Sequence, residues 1–250
     1  MNKSSATFSI VIPAWNESDC IEATLEAAKN AASQQPYSGD IIVVDNNSTD
    51  DTGDKASRAG ARVVFDPSNQ IARARNAGAK ASGARWLVFI DADTTVSSTL
   101  LTSSLQALSS GNVIGGGSTV ALDRIVTGMP KLTLRFWNWW SVKSSTAAGC
   151  YIYCTKEAFE SVGGFDEKYY AAEELHFSKR LRKLAKKRKQ QFVIQTLAPI
   201  VSSARKIDWF SPWQVSKQVL LLLVPGATRS KLMCYLWYDR SKVPQDGGDG

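Results

Sequence analysis

Two aspartates separated by one residue, Asp91 and Asp93, directly follow the apolar run from Trp86 to Ile90. Five apolar residues between polar segments are typical of a fully buried strand. Both carboxylates are therefore expected at the carboxyl end of that strand, where open α/β sheets bind their ligands. Hard divalent cations prefer carboxylate and phosphate oxygens, so the pair could hold a cation that carries a diphosphate. The alternative is a solvated corner between a strand and a loop.

Acidic residues also follow two other predicted strands. The run 8–13 leads to Glu17, and the run 40–45 ends in Asp45. Because the carboxyl ends of parallel strands meet at one edge of a sheet, these side chains are expected to converge with the aspartate pair. Three acidic strand ends at one edge are more than the stability of a sheet requires. The sequence therefore predicts a ligand-binding cleft at this edge.

Strands and helices alternate along the first half of the chain. Strands are predicted at 8–13, 40–45, 62–65 and 86–90. Between them, apolar residues recur at helical spacing. This alternation predicts an α/β fold with a Rossmann-like, mainly parallel sheet flanked by helices. Because the pattern loosens after Ser110, we expect three regions: two halves of one domain, 1–110 and 111–207, and a C-terminal helical segment with a tail, 208–250.

Composition narrows the class of protein. With 250 residues and 44% hydrophobic content, the chain can bury the core of one large domain or slightly more. The net charge of +7 favours anionic partners such as nucleotides, phospholipid or nucleic acid. Four cysteines without paired short spacing predict neither a disulfide framework nor a zinc site. No signal-like segment or membrane-spanning run is found, so we expect a cytoplasmic protein that can work at the inner face of a membrane.

Six short segments resemble the family 2 glycosyltransferases of the GT-A fold. They are VIPAWNE at 11–17, VVDNNSTDDT at 43–52, ARNAG at 74–78, FIDAD at 89–93, GGFDE at 163–167 and EE at 173–174. Each motif is weak alone, but six in the order of the family form a specific pattern over roughly residues 8–205. The resemblance implies inverting, metal-assisted transfer of a sugar from a nucleotide-diphosphate donor to a hydroxyl acceptor. It also assigns 1–110 to the donor and 111–207 to the acceptor.

The resemblance implies a site for the donor nucleotide. Its residues would be Ala14, Glu17, Asp45, Arg73, Asp91 and Arg205. Asp45 would accept a hydrogen bond from the imide N–H of uracil, which favours UDP; alternatively it caps the turn that follows it. Arg73 or Arg75 would reach the base or the diphosphate, the alternative being a solvated helix face.

The resemblance also implies a metal site and a catalytic base. Asp93 would bind Mn²⁺ or Mg²⁺ directly and Asp91 would border the metal and the ribose, so that charge on the departing diphosphate is neutralised. Glu174, beside Glu173, would remove a proton from the acceptor hydroxyl; the family usually has an aspartate at that position. The alternative is a pair of acids that balance a helix dipole.

One departure from the family concerns a late histidine near the diphosphate. The only histidine here is His176, two residues beyond the expected base, where a packing role is the simpler interpretation. Arg205 or Lys206 would take the place of the missing ligand. The geometry of the metal site is the feature that this departure puts in question.

Acceptor and membrane contacts are harder to assign. A saccharide or a lipid-linked acceptor is expected, read by loops after residue 110, and no nucleic acid. Peripheral contact with anionic lipid could come from the basic run 179–189 or from the mixed aromatic and basic segment 208–240. The alternatives are a solvated amphipathic helix for the first and packing helices over the acceptor cleft for the second. The aromatic run 135–140 could belong to the core, to a sugar site or to a lipid headgroup layer.

Two rival functions share part of this pattern. A sugar-nucleotide nucleotidyltransferase would have the same sheet and acidic site, but it should carry a Gly-rich, Arg-containing loop after the first strand, and residues 13–17 lack one. A basic, non-enzymatic protein that binds membranes or nucleic acid would need no acidic cleft. It predicts no affinity for nucleotides.

Overall fold

The first half of the chain alternates strands and helices, within one residue of the predicted strand boundaries. The computed structural model describes residues 6–205, 209, 226–234 and 238. The elements in this half are β1 (Phe8–Ala14), α1 (Ile21–Ser33), β2 (Gly39–Asp45), α2 (Thr52–Arg58), β3 (Arg62–Phe65), α3 (Ile71–Ala81) and β4 (Trp86–Ile90).

The second half adds four strands, four helices and two short 3₁₀ turns within the described residues. They are β5 (Thr94–Thr95), α4 (Ser98–Ser109), β6 (Val113–Leu122), α5 (Gly128–Ser144), β7 (Tyr151–Thr155), α6 (Lys156–Ser161), α7 (Glu173–Arg188) and β8 (Gln191–Ser202), with 3₁₀ turns at Ala227–Arg229 and Leu232–Cys234. Both halves contribute strands to the same sheet, so residue 110 lies in a connection inside one domain.

All eight strands form one sheet in the order β3-β2-β1-β4-β7-β6-β8-β5. Strands β1 to β4 are parallel to one another. Strand β7 is antiparallel to both of its neighbours, β4 and β6, whereas β6 and β8 are parallel. The α/β prediction is therefore confirmed, and the sheet is parallel in its first half and mixed in its second.

Helices cover both faces of the sheet, so β1 and β4 are buried along their whole length. Strands that are buried on both faces have nearly continuous apolar sequences. One face packs on α1 and α4, with Leu25 and Leu105 in its core. The other packs on α3 and α7, with Ala79 and Phe177 in its core. The strands of the parallel half are thus packed between helices on both faces, which fixes the positions of their carboxyl ends.

Helix α3 lies unusually close to the sheet because Gly78 faces it. A Cβ atom at Gly78 would come within 2.3 Å of Val11 Cγ1 and 3.0 Å of Val44 Cγ2. Such distances are far below ordinary van der Waals contact. The close approach fixes the height of α3 above β1 and β2, and with it the position of the arginine one turn earlier in the helix.

The segment 208–240, predicted to be helical, lies mostly outside the described residues. Its described parts pack on the domain: the carbonyl oxygen of Thr228 accepts a hydrogen bond from Tyr170 N at 2.7 Å. The hydroxyl of Tyr238 accepts one from Ile71 N at 3.4 Å. Within the residues that the structure describes, no helix is long and apolar enough to span a membrane.

We predict that Gly78→Ala lowers the free energy of unfolding by about 1–3 kcal/mol, the usual effect of overpacking. This loss outweighs the gain in helix propensity of up to about 1 kcal/mol. Urea denaturation measures both. Gly83→Ala is the matched control, because a Cβ there meets no atom within 4 Å. A Gly78→Ala variant as stable as the wild type would contradict the close packing of α3.

Candidate active site

A cleft of about 210 Å³ opens at the carboxyl ends of β1 and β4. Its walls combine the loop after each strand, the start of α3, the loop before β7 and the start of α7. The lining includes Ala14, Trp15, Glu17, Asn46, Asn69, Ile71, Arg75, Asp91, Asp93, Gly149, Cys150, Ala172, Glu173, Glu174 and Tyr238. Six of the residues predicted from sequence to bind the donor or metal, or to act as the base, therefore line one cavity: Ala14, Glu17, Asp91, Asp93, Glu173 and Glu174.

The loop that carries Asp91 and Asp93 is held through its backbone. Thr94 donates its hydroxyl hydrogen to the Asp91 carbonyl at 2.7 Å, and Thr24 on α1 donates to the Ala92 carbonyl at 2.7 Å. Ser203 N donates to the Asp93 carbonyl at 3.0 Å. These bonds fix the backbone of the loop, and with it the positions from which Asp91 and Asp93 line the cleft.

The guanidinium of Arg75 joins three elements. Its Nη1 donates to Glu173 Oε1 at 2.6 Å, and its Nη2 donates to Asp91 Oδ1 at 2.9 Å and to the Gly149 carbonyl at 2.7 Å. Burial alone would lower the pKa of Arg75, but the Asp91 and Glu173 carboxylates raise it. Arg75 therefore stays charged and sets the spacing of the strand-end aspartate from the start of α7. Its plane also lies 5.2 Å from the centre of the Phe165 ring.

Arg205 makes a second ion-pair cluster with two acids that line the cleft. Its Nη2 pairs with Glu17 Oε2 and lies 3.4 Å from Asp93 Oδ2. Its guanidinium also stacks over Trp209, 5.0 Å from the ring centre. Although burial lowers the pKa of Arg205, Glu17 and Asp93 raise it above its ordinary value. The sequence-predicted Arg205 is thus beside the predicted metal ligand.

Glu173 and Glu174 stand at the first turn of α7 with different surroundings. Glu173 is buried and paired with Arg75; burial raises its pKa, and Arg75 opposes that shift. Glu174 makes no ion pair with any residue that the structure describes. Burial, followed by the neighbouring Glu173 charge, raises the pKa of Glu174 to about 8. A carboxylate with a raised pKa is a stronger base once it is ionised.

The start of α7 is positioned by an unusual backbone and a close contact. Ala172 adopts φ of +62° immediately before the helix, a left-handed conformation that is uncommon for alanine and often found at functional sites. A Cβ atom at Gly149 would lie 3.4 Å from Arg75 Nη2 and 3.7 Å from Glu174 Cδ. The glycine thus lets the loop before β7 approach both the arginine and the glutamate.

Asn76, next to the buried Arg75, makes hydrogen bonds to the GGFDE segment at 163–167. Its side-chain amide donates to the Phe165 carbonyl at 2.9 Å and accepts from Phe165 N at 2.8 Å. Gly164 has φ of +65°, and a Cβ there would lie 2.7 Å from Asn76 Oδ1. Only glycine fits that backbone and that distance. The motif therefore holds α3 in place and supports the ring on which Arg75 lies.

Asp45 lies at the end of β2, just outside the cleft lining. Its Oδ1 accepts a hydrogen bond from Ser48 N at 2.9 Å, which is the turn-capping alternative. A Cβ at Gly53, in the first turn of α2, would lie 3.0 Å from its other oxygen. Asn16 connects this loop to the end of β1, since its side chain accepts from Thr49 N at 2.8 Å. The turn capping leaves Oδ2 available to a ligand.

The two arginines of α3 lie in different environments. Arg73 is half-exposed and donates from Nε to Asp66 Oδ2 at 3.1 Å, and it does not line the cleft. Arg75 lies inside. A role for Arg73 in donor binding stays a prediction. His176 stacks on Tyr169 with ring centres 4.0 Å apart, which is the packing role expected for a lone helical histidine.

A divalent cation fits the chemistry of Asp91 and Asp93. Within the described residues no cluster of three or more acidic, histidine or cysteine side chains could hold a metal alone. Mg²⁺-type ions are, however, commonly bound by one or two carboxylates that are completed by substrate phosphates and water. The two hard oxygen ligands therefore suit a cation that arrives with a diphosphate.

Several cleft residues were not found by sequence reasoning. Gly149 and Cys150 precede β7 in a loop without a motif, and Tyr238 reaches the cleft from the far end of the chain. Asn69 has φ of +43° and a buried Oδ1 without a hydrogen-bond partner. The only local signal for it is that asparagine tolerates the left-handed conformation. These residues come together through tertiary structure alone.

Comparisons with curated proteins find glycosyltransferases. An uncharacterized glycosyltransferase of Mycobacterium tuberculosis is 39% identical over 84 residues, covering 34% of this chain and 35% of that protein. The UDP-Glc:alpha-D-GlcNAc-diphosphoundecaprenol beta-1,3-glucosyltransferase WfaP of Escherichia coli is 30% identical over 127 residues, covering 48% and 49%. The matches thus span about half or less of the length of these relatives.

Solved structures share the fold. A mannosyltransferase from Pyrobaculum calidifontis, in complex with GDP-Man and Mn²⁺, has a TM-score of 0.65 at 18% identity, covering 88% of this chain and 63% of that one. Glucosyl-3-phosphoglycerate synthase from Mycobacterium tuberculosis, in complex with Mn²⁺, UDP and its product, has a TM-score of 0.60 at 20% identity, covering 90% and 81%. These neighbours are GT-A glycosyltransferases, so the predicted fold is confirmed. The pattern of glycosyl transferase family 2 matches residues 9–204, and the chain therefore belongs to the family 2 glycosyltransferases.

Proposed function

We propose that this enzyme is an inverting, metal-assisted glycosyltransferase that moves a sugar from a UDP-linked donor to a hydroxyl acceptor. The observation that carries the proposal is the single cleft that Asp91, Asp93 and Glu174 line together. Direct displacement requires a cation ligand pair and a base in the same cleft. The leaving diphosphate and the attacking hydroxyl must lie on opposite sides of the sugar.

The donor is bound at the edge of β1, β2 and β4. Asp45 Oδ2 accepts the imide N–H of uracil, while Oδ1 stays with the turn. Ala14 and Glu17 border the nucleotide. Two observations on other proteins support UDP: the Escherichia coli relative is named for UDP-Glc, and the Mycobacterium tuberculosis synthase was solved with UDP. The Pyrobaculum mannosyltransferase was solved with GDP-Man, so the comparisons do not favour UDP alone.

The diphosphate is held by two positive groups, the metal ion and an arginine. Mn²⁺ or Mg²⁺ bound at Asp93 and Asp91 would supply electrostatic stabilisation of the leaving group. Arg205 lies 3.4 Å from Asp93, so it can move from that carboxylate to a phosphate oxygen without crossing the cleft. Guanidinium groups bind phosphates well because their donors form a planar fork. Arg205 thereby takes the place of the late histidine of other members.

Glu174 removes the proton from the acceptor hydroxyl. Glu173 is unsuited to that task because Arg75 already holds its carboxylate at 2.6 Å. Glu174 has no such partner and its pKa is raised to about 8, which suits a base. Glu173 instead keeps the first turn of α7 in place, so it acts by positioning its neighbour.

The acceptor is a saccharide or a lipid-linked molecule. A lipid-linked acceptor is supported by the Escherichia coli relative, whose name gives a diphosphoundecaprenol substrate. Such an acceptor is reached at a membrane surface, so peripheral contact with anionic lipid, at the cytoplasmic side, is part of the proposal. The sugar and the acceptor alcohol are left open.

Titration of UDP, GDP and UTP, each with and without Mn²⁺, tests the proposal against its rivals. We expect UDP to bind more tightly than GDP, and both to bind more tightly with metal. A nucleotidyltransferase would bind nucleoside triphosphates better than diphosphates. A basic, non-enzymatic protein would bind none of these nucleotides, which would overturn the assignment.

We predict that Asp93→Asn weakens metal-dependent UDP binding by about tenfold or more, because a neutral amide is a poorer ligand for a hard cation. Isothermal titration with Mn²⁺ measures the change. Glu157→Gln is the control, since it removes the same charge from an exposed position on α6, at the opposite edge of the sheet. Unchanged, still metal-dependent binding in Asp93→Asn would rule out this ligand.

Glu174→Gln keeps the size of the side chain but removes the proton acceptor. We predict that UDP binding survives while sugar transfer falls by roughly 10²–10⁴-fold. Product formation is followed with the purified enzyme, and the anomeric configuration is read by NMR. A loss of donor affinity would assign Glu174 to the donor site instead. A product with retained configuration would exclude single displacement.

The raised pKa of Glu174 predicts the pH dependence of transfer. The base works only when it is ionised, so kcat/KM should rise with pH over the range between the ordinary value of 4.5 and about 8. A cation bound at the aspartates shifts the midpoint toward the lower end, because positive charge favours the carboxylate. The Glu174→Gln variant should lose this rise. A wild-type profile that stays flat down to pH 5 would contradict the assignment.

A further inference from the structure

Helix α5 is almost unpacked on one side. Of its 17 residues only Ser141 is buried, and five large apolar side chains are exposed: Met129 by 71%, Leu132 by 57%, Phe136 by 63%, Trp139 by 58% and Val142 by 41%. They follow one another at intervals of three or four residues, so they lie on one face. Ile125, just before the helix, is 94% exposed. A continuous exposed apolar stripe of this kind marks an interaction surface.

The orientation of this stripe is fixed by contacts on the other side of the helix. The side chain of Asn138 accepts from Val120 N at 2.9 Å and donates to the Val120 carbonyl at 2.8 Å. Ser141 donates its hydroxyl hydrogen to the Thr146 carbonyl at 2.6 Å. These bonds hold α5 on β6 and on the loop that follows the helix. The stripe therefore faces away from the domain.

Positive charge surrounds the stripe. From residue 124 to residue 144 the sequence contains four basic residues and no acidic one. Arg135 lies three residues after Leu132 and four before Trp139, so it runs alongside the stripe. Lys143 lies one turn after Trp139, and Lys131 lies one turn before Arg135. All three are exposed.

The basic part of α7 lies beside the end of α5. Arg182 donates from Nη1 to the Ser144 carbonyl, so this face of α7 meets the last turn of α5. Lys179 and Lys186, three and four residues from Arg182, occupy the same side of the helix and are exposed. The basic run noted in the sequence thus adds to the charge around the stripe.

We infer that this face of α5, which we call the α5 face (Ile125, Met129, Lys131, Leu132, Arg135, Phe136, Trp139 and Lys143), docks the enzyme onto an anionic lipid surface. Aromatic and aliphatic side chains enter the headgroup boundary while lysine and arginine contact lipid phosphates, as in interfacial helices. A second copy of the chain is a poor occupant, because it would bring the same positive charges face to face. Nucleic acid would leave the apolar stripe without a partner.

Docking through the α5 face would give a lipid-linked acceptor a direct route to the cleft. This part of the inference rests on the proposed function. Before α5, Asp123 accepts a hydrogen bond from Ala204 N at 2.9 Å, next to the segment that holds Asp93. After α5, the chain reaches the cleft residue Gly149 within five residues. Both ends of the helix therefore join the rim of the active site, so docking brings the cleft to the level of the headgroups.

Vesicle sedimentation of the full chain tests the inference. We expect binding to vesicles of phosphatidylglycerol and phosphatidylcholine, weaker binding to phosphatidylcholine alone, and a decrease with salt because screening weakens the basic contacts. The double variant Phe136→Gln/Trp139→Gln should bind about tenfold more weakly or worse. Lys131→Gln/Arg135→Gln should lose affinity for the anionic vesicles and part of the salt dependence. Phe65→Gln is the control, an aromatic side chain 61% exposed on β3, at the far edge of the sheet.

Two further measurements separate the outcomes. All variants should keep UDP affinity and melting temperature, since the changed side chains are exposed. Loss of vesicle binding with UDP binding intact assigns the α5 face to lipid, whereas vesicle binding without UDP binding contradicts only the proposed function. The inference is overturned if the wild type binds no vesicles, or if the α5 double variant binds as Phe65→Gln does. It is also overturned if light scattering shows a dimer that the double variant abolishes while no vesicles are bound.

Discussion

The charge of Arg75 is the interaction on which the geometry of the cleft depends. This side chain is 1% exposed and bonds to a strand end, a helix start and a loop: Asp91, Glu173 and the Gly149 carbonyl. Removing it would leave Glu173 buried without a counter-charge, a change that typically costs about 3–5 kcal/mol. The Gly78 contact with the sheet and the Asn76 bonds to Phe165 both serve to keep this guanidinium at its depth.

Two arginines each hold a pair of acids at the cleft, and Glu174 belongs to neither cluster. Arg75 holds Asp91 and Glu173, and Arg205 holds Glu17 and lies near Asp93. The remaining acid, Glu174, therefore feels burial and a neighbouring negative charge without an ion pair, which is why its pKa rises to about 8. The same charge arrangement thus gives Glu174 an environment different from those of the paired acids. Groups pre-set in this way need little reorganisation during reaction.

The parallel half and the mixed half of the sheet contribute different parts of the cleft and its surroundings. The parallel half is covered by helices on both faces and carries the acids at the ends of β1, β2 and β4, all within the residues 9–204 that the family pattern matches. The mixed half inserts β7 between β4 and β6, and this insertion brings the loop with Gly149 to the cleft. The connection from β6 to β7 is α5, whose outer face stays unpacked. In the proposed function, donor binding and acceptor delivery therefore use different parts of one sheet.

The sequence alone determined the strands of the first half and the acids at their ends, because local periodicity identifies buried strands and parallel strands share a carboxyl edge. It could not decide between Arg73 and Arg75, which are two residues apart on one helix; the depth of α3, set by Gly78, turns Arg75 inward. Nor could it find Gly149 or Tyr238, since no local pattern marks residues that meet only through folding. For the aromatic run 135–140 the sequence left three environments open: the core, a sugar site and a lipid headgroup layer. Only the tertiary structure shows that Phe136 and Trp139 are exposed, because Asn138 and Ser141 fix the opposite face of the helix against the domain.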